Sequence, residues 1–358
     1  MHFKALDGVR GLAILLVVSD HLSVVTLENP SWIGKLLQSG YLGVDLFFVL
    51  SGFLITMGLL KTRGQPGYLR NFYLRRAARI MPLYYAVMIL AVLFLIFVEP
   101  SRPPLDGYDS LVWPLTFTTN VAIALKMNWL LHSHYFVVDH FWTLAVEMQF
   151  YLVWPVLILW VRGKRLPIAL VGIIAFAIAS RFVADHYLGK WSYGAYLLTI
   201  CRMDQFAIGG LLALFLQKEA RPSAGQEKWI AIGFGALSAL TIYLAIAGGG
   251  QFKPMVFALF FAFLMYFALT HPFAGKLFSN RVLVHLGKYS YAMYVFHHLL
   301  YPTAKKHILN GLLSELSSSA QQALYLVILL AFTYLLARIS WVVIERPFLR
   351  WKGNPATR

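Results

Sequence analysis

The sequence predicts an all-α, polytopic membrane protein with about ten transmembrane helices, and three observations support this fold class. First, 59% of the 358 residues are hydrophobic and only 13% are charged, with a mean hydropathy of +0.66. A water-soluble domain of this size does not need so much apolar surface. Second, apolar runs long enough to cross a bilayer recur along the chain. Third, lysine and arginine concentrate in alternate connecting segments, as in membrane proteins.

Ten apolar runs of about 17 to 25 residues are the candidate transmembrane helices. The runs fall near 8–27, 42–60, 81–98, 141–161, 166–184, 196–216, 229–247, 254–271, 282–302 and 322–344. The first run follows closely after Lys4 and Arg10, but no small-residue cleavage site comes after it. We therefore expect a retained first span and not a signal peptide.

The distribution of basic residues predicts the topology. With the N-terminus inside, the inner segments hold 21 lysines and arginines and the outer loops hold 7. This ratio predicts ten spans with both termini in the cytoplasm, a transmembrane domain over 1–350 and a cytoplasmic tail over 351–358. The net charge of +16 is high enough to suggest a nucleic-acid partner. Because the charge is spread along one membrane face and not gathered in a domain, we expect no nucleic-acid binding.

Two connections differ from plain membrane helices. The outer connection 99–140 contains the run "LVWPLTFTTNVAIAL" at 111–125, which is too short and too rich in threonine for a span. We expect a re-entrant or interfacial segment there, because irregular backbone at membrane depth survives only against protein or water. The inner connection 61–82 carries six basic residues around a predicted short interfacial helix. These charges either set the topology or contact a ligand.

The single cysteine, Cys201, excludes an intramolecular disulfide and a cysteine metal cluster. It lies in an apolar run, which indicates a small core residue. We expect no metal site in this protein.

The stretch "LDGVRGLAILLVVSDHL" at 6–22 places a fixed positive charge and a histidine on one predicted helix. Arg10 and His21 lie about 16 Å apart along an α-helix, roughly half of the hydrocarbon core of a bilayer. Arg10 can therefore contact a phosphate at the interface while His21 lies where little water reaches. An ionisable residue at that depth favours a functional role. The alternative is that His21 only forms a hydrogen bond to a neighbouring helix.

Other polar residues lie at a similar depth in the predicted helices. They are Asp45, Glu147, Arg202, Asp204, Tyr291, Tyr294 and His297. An uncompensated charge at this depth costs a few kcal/mol, so these residues predict a shared, partly hydrated cavity that opens outward. An ion-pair network between Glu147 and Arg202 is the structural alternative.

A basic collar is predicted at the opposite side of the membrane. It consists of Arg10, Arg75, Arg76 and Arg79. Guanidinium groups suit phosphate, so the collar predicts an anionic, phosphate-bearing ligand on the cytoplasmic side. Together with the deep histidine it predicts a tunnel with a general base or nucleophile near its middle.

Six motifs of this sequence resemble those of a known protein family. In chain order they are "LDGVRGLAILLVVSDH", "GYLGVDLFFVLSGFLI", "RRAARIMPLYY", "FWTLAVEMQFYLVWP", "SYAMYVFHH" and "IERPF". Their order over residues 6–348 is similar to that of the membrane acyltransferase-3 family. That family comprises bacterial O-acyltransferases that modify surface polysaccharides, lipopolysaccharide, Nod factors and macrolides. Any one motif would be weak evidence, whereas six in register are specific.

The resemblance implies a ten-helix enzyme of the bacterial inner membrane that moves an acyl group, commonly acetyl, from cytoplasmic acyl-coenzyme A to an extracytoplasmic hydroxyl. The family's arginine and histidine fall on Arg10 and His21, and its tryptophan and glutamate fall on Trp142 and Glu147. Its basic element falls on Arg76, Arg79, Pro82 and Tyr84. Thr143 stands where a serine is usual. The chain ends without the secreted hydrolase domain that some relatives append, so the membrane domain is expected to complete the transfer.

On this basis we expect acetyl-coenzyme A to bind with its phosphates at the basic collar. His21 is the expected general base on the acceptor hydroxyl, or accepts the acyl group itself. Glu147 is expected to orient that histidine or to activate the hydroxyl, and Asp45 and Arg202 to contact the oxyanion or the acceptor. The acceptor is expected to be a carbohydrate or glycolipid in contact with membrane lipids. Further acceptor contacts are expected from Trp142, Tyr291 and His297.

Other interpretations of the same residues stay open. The outer aromatic residues Trp113, Trp129, Tyr135 and Trp142 suit sugar faces, but an aromatic belt at the membrane surface predicts them equally. A transporter or flippase of an anionic or lipid-linked substrate also needs a basic collar and intramembrane carboxylates. The sequence lacks the inverted repeats that are typical of transporters. A membrane-embedded scaffold and an acyltransferase for a macrolide-type small molecule are the remaining alternatives.

Overall fold

The computed structural model describes residues 3–23, 38–98, 111–126, 133, 135–188, 194–217, 224–247, 250–299, 301–313, 315 and 318–351. Within these residues the chain is helical and contains no β-strand, which confirms the all-α fold class. Trp129 of the predicted outer aromatic set and most of the predicted tail lie outside the described residues.

Ten helices of 15 residues or more occur in the described ranges, and each overlaps one predicted apolar run. They are α1 (Lys4–Ser23), α2 (Leu42–Thr62), α3 (Tyr68–Phe97), α4 (Trp142–Trp160), α5 (Arg165–Leu188), α6 (Met203–Gln217), α7 (Ala224–Ala247), α8 (Lys253–Thr270), α9 (Arg281–Phe296) and α10 (Ser318–Ser340). Helix α10 continues through a wider π turn, Trp341–Glu345, into the short helix Arg346–Trp351.

Seven helical segments within the described residues are long and apolar enough to cross a membrane. This confirms a polytopic membrane protein, while the number of ten spans stays a prediction. Helices α1, α6 and α9 fall outside the seven. Helix α1 carries four charged residues, and α6 and α9 have only 15 and 16 residues.

The prediction of a short interfacial helix followed by a separate span at 81–98 is wrong. The structure contains one continuous helix of 30 residues, α3, which passes through Pro82. Proline removes one backbone donor from a helix, so the packing on both sides of it must hold the helix together. Ile80, Leu83 and Tyr84 are buried beside the proline and supply that packing. Arg75, Arg76 and Arg79 of the collar therefore lie on a direct extension of a membrane helix.

The predicted re-entrant or interfacial segment forms two short helices, Val112–Leu115 and Thr119–Lys126. The turn between them holds Phe117 at a φ of 56°, a left-handed conformation that is uncommon for a bulky residue. Its ring stacks on Tyr84 at 4.2 Å between centroids, and Gln149 donates a 2.8 Å hydrogen bond to its carbonyl. The segment is too short to cross a bilayer and packs against α3 and α4, as expected.

Helix α1 lies at the centre of the bundle, packed along both α9 and α2. Glycines allow the backbones of α1 and α9 to touch. A Cβ on Gly11 would lie 2.0 Å from the Leu283 carbonyl oxygen, and one on Gly287 would lie 1.8 Å from the Asp7 carbonyl oxygen. Small residues at such crossings are the common device of membrane helix packing. The close approach sets the register that brings the C-terminal ends of α1 and α9 together.

Candidate active site

Three arginines from two helices gather at one end of the bundle, here called the arginine end. Arg10 of α1 donates a 3.1 Å hydrogen bond to Asp7 and lies within electrostatic range of Arg76 and Arg79 of α3. All three guanidinium groups are half-buried. Arg75, which was predicted to act with them, is exposed on the same helix.

Aromatic rings and one carboxylate hold Arg76 and Arg79 in place. The Arg76 guanidinium lies 5.6 Å from the centroid of the Tyr151 ring. The Arg79 guanidinium lies 5.5 Å from the Trp341 ring and 3.9 Å from the carboxylate of Glu345. Contacts with aromatic faces orient a guanidinium without neutralising it. The arginine end therefore keeps excess positive charge on well-positioned groups.

Glu147 of α4 lies between the arginine end and the outer half of the bundle. Its carboxylate accepts a 2.7 Å hydrogen bond from the Ser51 hydroxyl and a second one from the Tyr151 hydroxyl. Tyr151 therefore links Glu147 to Arg76. The alternative of an ion pair between Glu147 and Arg202 is wrong, because the Arg202 guanidinium pairs with Asp45 instead.

Four imidazole rings from three segments form a compact histidine cluster. The cluster consists of His21, His140, His297 and His298. His21 of α1 lies 4.8 Å from His297 and 4.5 Å from His298, measured between ring centroids. His140, directly before α4, lies 5.0 Å from His297. His140 and His297 are buried and His21 is half-buried.

Backbone carbonyls fix the tautomers of three of these rings. Nδ1 of His21 lies 3.0 Å from the Val17 carbonyl, Nε2 of His140 3.0 Å from the Val295 carbonyl, and Nδ1 of His297 2.6 Å from the Tyr294 carbonyl. A carbonyl oxygen only accepts, so the nitrogen facing it carries the hydrogen and the other nitrogen of a neutral ring keeps a lone pair. Nδ1 of His140 and Nε2 of His297 are buried with no hydrogen-bond partner in the described part of the chain.

Hydroxyl groups connect the histidine cluster to the middle of the bundle. The Tyr294 hydroxyl donates a 2.8 Å hydrogen bond to the His140 carbonyl and accepts a 2.6 Å bond from Thr143. Thr143 thus keeps the hydroxyl group of the serine that is usual at this motif position. Tyr291, one turn closer to the arginine end, donates a 2.7 Å bond to the Ile80 carbonyl of α3. It therefore lies nearer to Arg79 and Glu147 than to the histidines.

A second buried polar group lies beside α2, α5 and α6 and is here called the paired-charge network. Arg202 pairs with Asp45 at 2.5 Å, and Gln205 donates a hydrogen bond to the same carboxylate. Arg181 pairs with Asp204 at 2.9 Å, and both side chains are at most 1% exposed. Trp142 belongs to this side of the bundle, because its ring contacts Tyr196, which lies under the Arg202 guanidinium at 4.7 Å.

Sequence reasoning missed several residues of this arrangement. They are Ser51, His140, Tyr151, His298 and Glu345. His140 directly precedes the fourth apolar run, and His298 is the second histidine of the "HH" pair. Glu345 lies in the "IERPF" motif, so its carboxylate in an apolar run was the available signal.

The remaining predictions concern metals, the cysteine and the outer aromatic residues. Among the described residues, no three His, Cys, Asp or Glu side chains have the geometry to hold a metal ion. Cys201 is buried, as its apolar surroundings predict. Trp113 is half-buried and Tyr135 is exposed, so both the sugar-binding and the aromatic-belt interpretations stay open for them.

Comparison with known proteins finds relatives that are named as O-acetyltransferases. The chain is 28% identical over 97% of its length to the peptidoglycan O-acetyltransferase OatA of Listeria monocytogenes, of which the match covers 56%. It is 27% identical over 99% of its length to the O-acetyltransferase OatA of Staphylococcus aureus, of which the match covers 58%. The chain thus spans somewhat more than half the length of these curated relatives. No solved structure matches it.

The family assignment rests on nearly the whole chain. The matching family model, described as an acyltransferase domain, aligns with residues 3–338. These residues include the arginine end, Glu147, the histidine cluster and the paired-charge network. The chain therefore belongs to the acyltransferase-3 family of membrane proteins, as its six sequence motifs indicated.

Proposed function

We propose that this protein is an integral-membrane O-acyltransferase that transfers an acyl group, most simply acetyl, from acyl-coenzyme A to a hydroxyl of a carbohydrate or glycolipid. The acceptor lies at the extracytoplasmic face or in the membrane. We further propose that the protein lies in the bacterial inner membrane with both termini in the cytoplasm. This topology places the arginine end on the side where acyl-coenzyme A is made.

The donor is proposed to bind with its phosphates at Arg10, Arg76 and Arg79, with Arg75 at the exposed rim. These guanidinium groups share one end of the bundle, and aromatic contacts leave most of their charge available. Arginine forks bind phosphate oxygens in a bidentate manner, which suits the diphosphate and the 3′-phosphate of coenzyme A. The pantetheine arm then follows the line from Tyr151 and Glu147 toward His21.

The chemistry is proposed to occur at the lone pair of Nε2 of His21. In direct transfer this nitrogen takes the proton of the acceptor hydroxyl as its oxygen attacks the thioester carbonyl. The carbon–sulfur bond then breaks, and the proton passes to the leaving thiolate to give free coenzyme A. In the covalent route Nε2 attacks the thioester carbonyl and the carbon–sulfur bond breaks, which releases the coenzyme A thiolate. In a second step the acceptor oxygen attacks the acyl carbon, the nitrogen–acyl bond breaks, and the hydroxyl proton passes to the thiolate.

The main support for this proposal is that two ring nitrogens of the histidine cluster have lone pairs without a hydrogen-bond donor in the described part of the chain. Two buried ring nitrogens, Nδ1 of His140 and Nε2 of His297, have no donor among the described residues. A buried acceptor without a donor costs about 1–3 kcal/mol. A substrate hydroxyl is a donor of the right kind, so we assign His297 and His140 to positioning the acceptor beside His21.

The nature of the acceptor is supported by the relatives. The Listeria relative is named for peptidoglycan, a cell-envelope carbohydrate, and this favours a sugar hydroxyl over a macrolide for the present chain. Trp142 is the proposed acceptor-side contact, with Asp45 and Arg202 supporting it from the paired-charge network, whereas Tyr291 lies on the side of the arginine end. Glu147 accepts hydrogen bonds from Ser51 and Tyr151, and we propose that it orients the groups that lie between the arginine end and His21.

The test is turnover by the purified protein in proteoliposomes. Radiolabelled acetyl-coenzyme A is supplied on one side and a cell-envelope glycan fraction on the other. An acyltransferase yields labelled glycan and one free thiol per label transferred, and His21→Ala yields neither. A transporter or flippase leaves the thioester intact, and that result would overturn the proposal.

A further inference from the structure

A groove of about 420 Å³ lies between α9 and α10 on the side of the arginine end. It is lined by Arg281, Val282, His285, Leu286 and Tyr334. Arg281, Val282 and His285 are exposed. The catalytic proposal uses none of these residues.

Cations and aromatic rings alternate along the edge of this groove. Lys288 Nζ lies 5.4 Å from the Trp341 ring and 5.5 Å from the Tyr289 ring. The Arg338 guanidinium lies 5.3 Å from the same Tyr289 ring. Such contacts hold long side chains in place while their charges stay available. The groove therefore has a pre-positioned rim of cations.

Tyr334 lines the groove and is hydrogen-bonded to two of the basic side chains around it. The Tyr334 hydroxyl lies 2.6 Å from Nε2 of His285 and 3.4 Å from an Arg338 nitrogen. His285 is also in the electrostatic field of both Lys288 and Arg338. Three elements of sequence, at 281–288, 334 and 338–341, thus meet at one polar edge.

The charges around the groove lack acidic partners. Within the described residues, the structure pairs none of Arg281, Lys288 and Arg338 with a carboxylate. Lys288 and Arg338 contact the same Tyr289 ring, and like charges held near each other repel most strongly where low-dielectric material is close. An anion bound among them would remove that repulsion, so the geometry favours an anionic ligand.

The apolar surface around the groove indicates the chemistry of the part of the ligand that does not contact the cations. Val282 and Leu286 line the groove. Leu335 and Ile339 of α10 are exposed beside it, as is Val343 in the π turn that follows α10. In a membrane protein such an apolar helix face contacts lipid acyl chains. A ligand with a phosphate at the cations and a chain along this face fits both surfaces. Coenzyme A has the phosphates but no hydrocarbon chain to place there.

We propose that Arg281, His285, Lys288 and Arg338 bind the headgroup phosphate of an anionic phospholipid, whose acyl chain lies against the exposed face of α10. Basic pockets between membrane helices are known sites for such headgroups. This site is separate from the acyl-transfer site and does not depend on the proposed reaction. Trp341 connects the two sites, because its ring contacts both Lys288 and Arg79.

The experiment is native mass spectrometry of the detergent-purified full chain with added phosphatidylglycerol or phosphatidylcholine. The test variant is the double variant K288Q/R338Q. The matched control is K228Q/K276Q, which removes the same charge from two exposed lysines outside the groove. We expect one tightly bound phosphatidylglycerol on the wild type, and binding about 10- to 30-fold weaker in K288Q/R338Q, since each basic residue contributes about 1 kcal/mol to lipid attraction. The control is expected to bind like the wild type.

Three outcomes would overturn this proposal. They are equal loss of lipid in both double variants, equal binding of the two lipids by the wild type, and displacement of phosphatidylglycerol by excess coenzyme A. The last outcome would assign the groove to the nucleotide end of the donor. Melting temperatures in detergent are compared first. If K288Q/R338Q does not yield folded protein, R281Q, an exposed residue at the start of α9, takes its place with the same expected direction.

Discussion

The histidine cluster and the paired-charge network are both buried, but their polar groups are satisfied in different ways. In the paired-charge network each carboxylate meets a guanidinium, Asp45 with Arg202 and Asp204 with Arg181. In the histidine cluster the rings of His21, His140 and His297 face backbone carbonyls, and Nδ1 of His140 and Nε2 of His297 have no hydrogen-bond partner among the described residues. Nε of Arg202, Oδ1 of Asp204 and Oε1 of Gln205 in the network also lack a partner among the described residues, so the two regions differ in the ion pairs that compensate the network's charges. The difference predicts a structural role for the network and a substrate-binding role for the cluster.

The largest expected effect is on turnover in the cluster. Replacing His21 with alanine removes the proposed base, so we expect acyl transfer to fall by about 10²- to 10⁴-fold. The melting temperature in detergent is expected to change little, because α1 is held by its backbone contact with α9. Rates of thiol release from acetyl-coenzyme A measure the effect. Substantial activity in a folded His21→Ala protein would contradict the proposed chemistry.

The next effect concerns the paired-charge network and should appear as instability. Arg202→Met leaves Asp45 buried without its cation, and such a change costs about 3–5 kcal/mol. The double variant R202M/D45L removes both charges and is expected to recover most of the melting temperature. Thermal unfolding in detergent compares the three proteins. A stable double variant without transfer activity would instead place Asp45 and Arg202 in the acceptor site. The structural role assigned to the paired-charge network would then be wrong.

A smaller effect is expected at the arginine end. Arg79→Gln removes one proposed phosphate contact, so the KM for acetyl-coenzyme A should rise about 10- to 100-fold, in line with 1.5–3 kcal/mol for a charged hydrogen bond. The matched variant is Glu345→Gln, which removes the carboxylate that competes for Arg79 at 3.9 Å. We expect Glu345→Gln to leave KM unchanged or lower it. A rise in KM in both variants would indicate that the pair only supports the fold.

The smallest effect concerns the hydroxyl groups that support the cluster. Thr143→Val removes the hydrogen bond to Tyr294, and we expect about a 2- to 10-fold loss of kcat, corresponding to 0.5–1.5 kcal/mol. Thr143→Ser keeps the hydroxyl and should retain nearly full activity. Steady-state kinetics of the two variants distinguish the contribution of the Thr143 hydroxyl to kcat from that of its methyl group. Equal losses in both would show that packing and not the hydrogen bond matters at this position.

Much of the fold follows from the sequence, and the errors have physical causes. Each of the ten apolar runs overlaps one long helix of the described residues. The break predicted at Pro82 does not occur, because buried neighbours keep α3 continuous where local rules disfavour a helix. Helices α2 and α7 have nearly the same hydropathy, 2.0 and 2.1, but 67% of the first and 6% of the second is buried. Lipid and protein are both apolar, so hydropathy does not distinguish them.

The sequence predicted which types of residue form the candidate site, but it did not predict which of these residues contact each other. Arg10 and His21 were found because a charge and an imidazole on one apolar helix are costly and therefore informative. His140 and His298 were missed because His140 precedes the predicted fourth span and because only tertiary contact brings the two rings beside His297 and His21. The pairing of Arg202 with Asp45, and not with Glu147, depends on which faces of α2, α4 and α6 meet.

The sequence by itself determined that this chain is a helical membrane protein of the acyltransferase-3 family, because hydrophobic run length, basic-residue placement and short motifs are local properties. Only the tertiary structure decided which buried polar groups are paired and which keep free lone pairs. That distinction depends on distances between residues more than a hundred positions apart, such as His21 and His297, and the close crossing of α1 and α9 sets those distances.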